Sequence, residues 1–307
     1  MGTAGILPFQ GAVMCYKEAT YGTDGSPVGT APSLGTYHIS NKILDARIDS
    51  GDVHKPLRGI DSPSVCSFIE TGGDNTLHLE YVYQPFFESM TTLCVVRDSD
   101  GDLPSMTFII GTNVDSTASV VYTLTGCKCK NWEISGSRGE EYVCTADFSV
   151  QSVTTASTTT LPFPSAVGYG SGGCNLAGFN QAGSITFTGG YNAYITDSIN
   201  ISVDNNLTDY WNVGSNTKLA AIPGALDVTG SADLSIDEGG GAWWNVVDAF
   251  RNITTLVLDT GCPNKNATDD VITLSNGKYD NLSIDLNLDN GVMMSSMPFT
   301  FKTIDFT

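Results

Sequence analysis

The fold class of this chain can be inferred from residues 131–150, which read NWEISGSRGEEYVCTADFSV. Apolar and polar residues alternate from Trp132 to Ile134 and again from Tyr142 to Val150, on the two sides of a glycine-containing turn. Side chains of a strand point alternately to its two faces, so this pattern predicts two half-buried strands that pair across the turn. The stretch therefore predicts a β-sheet.

The same alternation occurs along most of the chain, whereas helical spacing is rare. Further predicted strands are 65–70, 77–83, 199–203, 225–237 and 282–288. A helix is predicted clearly only at 242–251, after three consecutive glycines, where apolar residues recur every three to four positions. Its buried face would carry Trp243, Trp244, Val247 and Phe250. Residues 86–90 are also compatible with a helical turn, so the chain is predicted to be mostly β.

The composition excludes several classes of function. Charged residues make up 15% of the chain, against roughly 25% in an average soluble protein, and the net charge is −19. No cluster of Lys and Arg could neutralise phosphates, which argues against tight nucleic-acid binding. The longest apolar runs, such as 93–96, are far shorter than the about 18 residues that a membrane helix needs. We therefore expect no membrane insertion, and we expect synthesis in the cytoplasm because no secretion signal is recognisable.

None of the short motifs predicts an enzyme or a cofactor site. The glycine-rich stretch 168–173 lies in a linker without a surrounding βαβ unit, which favours a flexible connection over a nucleotide loop. Residues 98–102 resemble a calcium loop, but Leu103 stands at the sixth position, where the motif needs glycine, and no acidic residue stands at the twelfth, so we interpret them as a solvated turn. Cys127 and Cys129 lack the spacing of a zinc site, and the eight cysteines are interpreted as free, mostly buried thiols. We expect no catalytic residue, no metal and no cofactor.

A weak internal repeat indicates two similar domains. Residues 38–43 match 194–199, and in the loop that follows each match Lys55 corresponds to Lys218. The predicted organisation is an N-terminal arm 1–35, a first domain 36–153, a linker 154–181 rich in Thr, Ser, Pro and Gly, and a second domain 182–307.

Four motifs distributed over the chain carry a family resemblance. The first motif is Lys17-Glu18 with Tyr21-Gly22-Thr23 and Pro27. The second is Gly126-Cys127-Lys128 with 134–140 and Ala146-Asp147-Phe148. The third is Ile222-Pro223-Gly224 with 229–236, and the fourth is 299–304. Together they resemble the tail tube proteins, or major tail proteins, of long-tailed phages and related tailed archaeal viruses.

The resemblance implies a mostly β fold of two similar β-sandwich domains, each with one flanking α-helix, that assemble into a closed ring barrel. A doubled domain is similar to tube proteins that close rings as trimers with pseudo-sixfold symmetry, whereas single-domain members form hexamers. The implied function is structural: stacked rings polymerise into the hollow tail tube through which the viral genome is delivered.

The resemblance also implies partners and a location. The partners are further copies of the chain, a tape-measure protein, viral DNA that passes through the lumen, a tail terminator, and baseplate or tip proteins. The protein would reside in the virion tail after assembly in the host cytoplasm.

Strand periodicity predicts which residues would face the lumen of such a tube. Because the apolar residues of 282–288 must face the core, their neighbours face the channel, and the same reasoning applies to two other strands. The expected lumen residues are Asn281, Ser283, Asp285, Asn287, Asn200, Ser202, Asp204, Glu133 and Ser135. A negative, polar wall would give passing DNA no cation to bind.

Two long loops are expected to grip the adjacent ring. Residues 49–63 and 204–224 exceed the two to five residues of a simple hairpin loop, and long loops usually have a function. The expected stacking residues are His54, Lys55, Leu57, Arg58, Tyr210, Trp211 and Val213.

Alternatives to this interpretation remain open. The chain could be a two-domain β module that binds carbohydrate or adheres to surfaces. The polar strand faces could then lie on the outside of a sandwich, and the apolar loop residues could pack within their own domain.

Overall fold

The computed structural model consists almost entirely of β-strands in the part of the chain that it describes. The structure describes residues 12–23, 38–40, 43–51, 53–58, 65–71, 73–83, 88–112, 119–158, 184–187, 191–192, 196–212, 215, 217–236, 254–260, 271–279 and 293–306.

The first half of the chain begins with six strands, continues through a helix, and ends with four more strands among the described residues. The elements are β1 (Ala12–Lys17), β2 (His38–Ser40), β3 (Ile43–Asp49), β4 (Val53–Arg58), β5 (Val65–Thr71), β6 (Asn75–Val82), α1 (Glu88–Val95), β7 (Met106–Thr112), β8 (Ser119–Ser137), β9 (Val143–Val150) and β10 (Ser152–Thr158).

The second half consists of strands only in the part that the structure describes. They are β11 (Ser184–Phe187), β12 (Tyr191–Asn192), β13 (Thr196–Asp204), β14 (Thr208–Trp211), β15 (Lys218–Ile222), β16 (Asp227–Ile236), β17 (Thr255–Asp259), β18 (Val271–Ser275), β19 (Lys278–Tyr279), β20 (Met293–Phe301) and β21 (Thr303–Phe306).

The main sheet has eight antiparallel strands, four from each half, in the order β3-β6-β9-β8-β13-β16-β20-β19. The hairpin predicted from 131–150 is confirmed, since Ile134 on β8 lies opposite Cys144 on β9. The two halves meet where β8 pairs with β13, with Ile134 opposite Ile201. One continuous sheet therefore crosses the boundary between the halves.

A second layer covers the apolar face of the main sheet. The N-terminal part of β8 leaves the main sheet and pairs with β7 and β10, which gives an outer sheet in the order β2-β1-β7-β8-β10. The second half has its own outer sheet, β12-β11-β17-β18-β21. The Phe108 and Phe148 rings, one from each layer, lie 4.8 Å apart, and Trp132 contacts Phe306 at 5.8 Å. The buried core lies between these layers.

The bend of β8 between its two sheets occurs at Gly126. This residue has a φ of +63°, and a Cβ placed on it would lie 2.5 Å from Cβ of Gln151 on the neighbouring chain segment. Gln151 separates β9 from β10 and donates its backbone N–H to the Thr125 carbonyl at 3.1 Å. Glycine is required at the bend because only it combines this φ with so close an approach.

Strand pairing in the two halves follows one register. β3 and β6 carry a bulge at Ile43/Asp45, and β13 and β16 carry one at Thr196/Ser198, which is 153 positions later. The hairpins β4–β5 and β14–β15 also carry bulges, at Leu57/Arg58 and at Tyr210/Trp211, again 153 positions apart. The structural correspondence between β3–β6 and β13–β16 is therefore a constant shift of 153 residues.

This register corrects the match made from sequence. Pairing 38–43 with 194–199 implies a shift of 156 residues, three too many, because strands with similar alternation can be aligned in several registers. The correspondence of Lys55 with Lys218 is also wrong: Lys55 lies on β4, the first strand of its hairpin, whereas Lys218 lies on β15, the second. The loops 49–63 and 204–224 contain these hairpins.

Helix α1 flanks the first half and buries Met90 and Cys94 against the sheet. Its Thr91 hydroxyl lies 3.1 Å from the hydroxyl of Tyr81 on β6, which accepts a hydrogen bond from Trp132 Nε1. The helix predicted at 242–251, with Trp243, Trp244, Val247 and Phe250, lies outside the described residues. The proposed domain limits 36–153, 154–181 and 182–307 remain predictions, and the limit between 153 and 154 falls inside strand β10 (Ser152–Thr158).

The predicted arm 1–35 contains one described strand. β1 pairs with β7 in the first outer sheet, and Val13 and Cys15 belong to the buried core. Cys15, Cys94, Cys127, Cys129 and Cys144 are free and buried, as expected for structural thiols.

Candidate assembly surfaces

Five of the residues predicted to line a lumen lie together on one face of the main sheet. Strand pairing sets Asn200 opposite Ser135 and Ser202 opposite Glu133, and Asp204 lies one pair further along. The Asn200 amide donates a hydrogen bond to the Glu133 carboxylate. The polar residues at the junction of the two halves thus form one patch.

The patch is part of a polar row that crosses all eight strands. Its members are Asp45, Glu80, Thr145, Glu133, Ser202, Thr229, Thr300 and Lys278, each opposite the next. Side chains on the opposite face, such as Leu79, Ile201 and Phe299, are buried. The main sheet therefore has one apolar face toward the outer layer and one polar face away from it.

Negative charge dominates this polar face. Among the described residues, its carboxylates are Asp45, Asp49, Glu80, Glu133, Asp147, Asp204, Asp227 and Asp233, and its basic side chains are Arg47, His78, Lys128 and Lys278. His78 Nδ1 lies 2.7 Å from Asp147 Oδ1, and Arg47 Nε donates to Asp49 Oδ2 at 2.9 Å. A surface of this sign repels a polyanion.

The hairpin β14–β15 forms a second candidate surface. Four of its apolar side chains are solvent-exposed: Tyr210 (48%), Trp211 (37%), Leu219 (55%) and Ile222 (50%). Large apolar side chains that cluster on a protein surface commonly mark a contact with another molecule. Among the residues that the structure describes, only two other large apolar side chains are comparably exposed, Leu44 and Val120.

Lys218 attaches this hairpin to the first half of the chain. Its side chain is fully buried, and Nζ lies 2.7 Å from Asp74 Oδ1 and 3.0 Å from Asp209 Oδ2. Nζ also donates to the Ser149 hydroxyl at 2.7 Å, and Ser149 in turn donates to Asp209 at 2.8 Å. A buried lysine needs such partners, since an unpaired charge is costly to bury.

Lys218 therefore joins three segments that are distant in sequence. Asp74 precedes β6 and Ser149 lies near the end of β9, while Asp209 and Lys218 belong to the hairpin. Burial would raise the pKa of Asp74, but its hydrogen bond to Lys218 and the charges of Lys218 and Lys130 hold that pKa below its usual value. The hairpin is thus held at one end of the main sheet by a buried ionic cluster.

The base of the hairpin makes further contacts with the first half. The buried Asn205 amide donates to the carbonyls of Cys94 and Cys129, at 2.9 and 3.1 Å. Arg97 Nη1 donates to the Gly224 carbonyl at 2.6 Å on the other side of the hairpin. The chain is thus tied to the first half both before β14, at Asn205, and after β15, at Gly224.

Two of the motifs that carry the family resemblance meet at the bend of β8. The Glu18 carboxylate is buried and accepts hydrogen bonds from Gly126 N and Thr107 Oγ1 at 2.8 Å and from Gly22 N at 2.9 Å. Lys128 lies over the Tyr21 ring, with 5.5 Å between Nζ and the ring centroid. These motifs therefore have a structural role, because they fix the end of β1 to the bend.

Several predicted site residues cannot be placed. Asn281, Ser283, Asp285, Asn287 and Val213 lie outside the described residues. His54, Lys55, Leu57 and Arg58 lie on β4, but their side chains are not described.

Sequence reasoning missed the ionic cluster around Lys218. A lysine among apolar residues in 218–222 is the only local signal, and its acceptors come from segments up to about 140 residues away. Leu219 and Ile222 were also missed as exposed residues, because period-two alternation alone does not separate the outer face of a hairpin from a buried one.

The described residues contain no group of three or more His, Cys, Asp or Glu side chains that could hold a metal ion. Within the same part of the chain, no helix has the length and apolar character needed to cross a membrane.

Comparisons with known proteins identify the family. Residues 9–301 match the family described as phage tail tube protein. No curated protein matches the chain. A chain in the cryo-EM structure of the anti-feeding prophage baseplate, symmetrised sixfold, is similar over 52% of this chain and 100% of its own length, with 10% identity and a TM-score of 0.35. That similarity is too low to support an inference, but the family match spans nearly the whole sequence, and the protein therefore belongs to the phage tail tube family of structural virion proteins.

Proposed function

We propose that this protein polymerises as stacked rings into the hollow tail tube through which the viral genome is delivered. Its role is structural, without catalysis. The partners in this proposal are further copies of the chain, the tape-measure protein, DNA in transit, the tail terminator, and baseplate or tip proteins, with assembly in the host cytoplasm.

The observation that carries the proposal is the equivalence of the two halves in the main sheet. β3-β6-β9 in the first half and β13-β16-β20 in the second occupy the same places, and β8 joins the halves by pairing with β13. β3 is equivalent to β13, yet within the described residues it pairs only with β6, and Leu44 on it is 56% exposed. An edge strand of this kind is a template for pairing with another chain.

Repeating the β8–β13 junction between copies would close the sheet into a ring. With eight strands per copy, three copies would supply 24 strands in one barrel. Closure removes the edges of the sheet, and a cyclic assembly of identical copies is the usual way to obtain it.

The polar face of the main sheet would then line the channel. Its carboxylates outnumber its basic side chains, so passing DNA, with one charge per roughly 1.7 Å, would find few cations. The hairpin β14–β15 lies at one end of this sheet, which would place its exposed apolar side chains toward the adjacent ring.

Electron microscopy of the purified protein tests the proposal. We expect hollow tubes of stacked rings with threefold symmetry and 24 strands around the lumen. A ring with sixfold symmetry of single chains would contradict the doubled arrangement. Monodisperse monomers that bind carbohydrate would instead favour the alternative of a surface-binding module.

The assignment of the channel wall has its own test. Asp204→Lys places a cation on the polar face, and we expect assembled particles to eject DNA more slowly at low salt than at high salt. Asp305→Lys, on the exposed strand β21 of the outer sheet, is the matched control. Normal ejection kinetics from Asp204→Lys tubes would place this face outside the channel.

A further inference from the structure

In the part of the chain that the structure describes, the hairpin β14–β15 is anchored on the half that precedes it. Its Lys218 and Asp209 bind Asp74 and Ser149, all four within one ionic cluster, and Asp74 and Ser149 belong to the half that precedes it. The contact spans the junction at which β13 pairs with β8. The hairpin β14–β15 follows β13, and it docks on the first half, which is the half that pairs with β13 through β8.

The hairpin β4–β5 occupies the same position in the first half. It follows β3 as β14–β15 follows β13, and its bulge lies 153 residues earlier. By this register Leu57 corresponds to Tyr210, Arg58 to Trp211, and Val65 to Lys218. The first hairpin should then dock on whichever half lies beside β3.

The second half has a surface that corresponds to the docking site of the first half. The shift of 153 residues that relates β6 to β16 places Asp227 at the position of Asp74. Strand pairing places Thr300 at the position of Ser149, because Phe148 lies opposite Leu77 as Phe299 lies opposite Gly230. Asp227 and Thr300 are both exposed.

The charges of the two surfaces are complementary. The first hairpin carries His54, Lys55 and Arg58, whereas the end of the second half carries Asp204 and Asp227. Asp227 accepts a hydrogen bond from the Asn206 amide at 2.8 Å and retains a solvent-exposed carboxylate. A basic hairpin would add a partner of opposite sign.

On these grounds we propose that the β4–β5 hairpin of one copy docks on the Asp227–Thr300 surface of a second copy, where the positive charge of Arg58 complements the negative charge of Asp227. The inference rests on the proposed ring, in which a second copy lies beside β3. It adds a lateral contact within a ring, different from the stacking contact of β14–β15. The two hairpins carry their cation on different strands: Arg58 lies on β4, the first strand of its hairpin, whereas Lys218 lies on β15, the second strand of its hairpin.

Charge reversal tests this contact. Arg58→Glu and Asp227→Arg should each raise the protein concentration needed for association by about tenfold, since like charges would face each other. The double variant Arg58→Glu/Asp227→Arg should associate like the unaltered protein. Lys17→Glu, an exposed charge reversal at the end of β1, is the control and should have no effect. Light scattering and sedimentation of the full chain measure association.

Mixing the two single variants shows whether the contact lies between copies. In the mixture, the acidic hairpin of an Arg58→Glu chain can meet the basic surface of an Asp227→Arg chain, and the reverse pair keeps the original charges. The mixture should therefore associate better than either variant alone. If the hairpin docked within its own chain, mixing would restore nothing, and the inference would be wrong. Failure of the double variant to recover association would also overturn it.

Two further measurements keep the result interpretable. Asp227→Asn retains the hydrogen bond to Asn206 and removes only the charge, so it replaces Asp227→Arg if that variant unfolds. Absence of tubes in the unaltered protein, with lateral association and its rescue intact, would refute the proposed tube and leave the lateral contact supported. Normal tubes without rescue would refute the lateral contact alone.

Discussion

The two hairpins of this chain share a backbone register and differ in chemistry. β14–β15 presents Tyr210 and Trp211 and is anchored by the buried Lys218, whereas β4–β5 has Leu57, Arg58 and Val65 at the same three positions. The repeated sheet determines where a hairpin stands, and its side chains determine what it can bind. A ring built from such halves would have six similar hairpins of two alternating kinds.

The largest effect is expected from breaking the Lys218 anchor of the second hairpin. Lys218→Met leaves the carboxylate of Asp209, which is 14% exposed, without its main partner. Breaking a buried ion pair from one side typically costs about 3–5 kcal/mol, and we expect a loss of that size in the free energy of unfolding. Urea denaturation measures it.

Lys302→Met removes an exposed lysine and serves as the matched control, with an expected change within about 0.5 kcal/mol. A loss below 1 kcal/mol for Lys218→Met would mean that the cluster does not hold the hairpin.

The next effect concerns the exposed apolar side chains of the second hairpin. Tyr210→Ser combined with Ile222→Ser should leave the fold intact and prevent stacking, because apolar anchors contribute about 2 kcal/mol or more each to an interface. Trp211 is left in place because its ring centroid lies 5.6 Å from Lys218 Nζ. Rings without tubes are expected in electron micrographs. Val120→Ser, at an exposed position in the outer sheet, should leave tubes intact.

Removing 207–216 altogether would be a poorer test of stacking, since it also removes Asp209 from the ionic cluster. Tubes of normal length from the double serine variant would show that the second hairpin packs elsewhere.

A smaller effect is expected at Gly230, where the main sheet of the second half has glycine and the equivalent position of the first half has Leu77. Gly230 lies opposite Phe299 as Leu77 lies opposite Phe148, yet a Cβ at Gly230 would meet the Asn200 carbonyl at 2.2 Å and the Phe299 ring at 2.6 Å. We expect Gly230→Ala to lower the unfolding free energy by about 1–3 kcal/mol through overpacking.

Thr229→Ala, at the exposed neighbouring position, should change that free energy by less than about 0.5 kcal/mol. Thermal or urea denaturation of both variants checks the difference. Equal stability of the two would mean that Phe299 can move away from the strand.

The smallest effect is a pH dependence at the anchor of the second hairpin. The pKa of Asp74 lies below its usual value, so its ionised form stabilises the fold above about pH 3.8, and this stabilisation is lost as the pH falls through the lowered pKa. Because the Asp74 side chain is half exposed, we expect less than about 1 kcal/mol. Asp74→Asn should remove this part of the acid dependence, and Asp305→Asn should not.

NMR titration offers a direct check, since the pKa of the Asp74 carboxyl should rise in Lys218→Met, where burial still raises it and the Lys218 contribution is gone. An unchanged titration in that variant would rule out Lys218 as the cause.

The strands were predictable from sequence to the extent that alternation is a local property. The hairpin in 131–150 and the strand Thr196–Asp204 follow from period two alone. Register is not local, which explains why the repeat was matched three residues out of place. The cluster around Lys218 could not be predicted, because the carboxylates of Asp74 and Asp209 and the hydroxyl of Ser149 come together only once β6, β9 and the second hairpin are packed in the folded chain.

The junction between β8 and β13 has a consequence for synthesis. β8 ends at Ser137 and β13 ends at Asp204, so at about 5–20 residues per second the ribosome needs roughly 3–13 s to complete the second strand after the first. During that interval the nascent first half presents an unpaired β8 edge to every other nascent chain nearby. Pairing of β8 with β13 of the same chain is intramolecular and independent of concentration, whereas pairing with β13 of another chain requires a collision between the two chains. Slow translation or crowded polysomes would therefore favour exchanged halves.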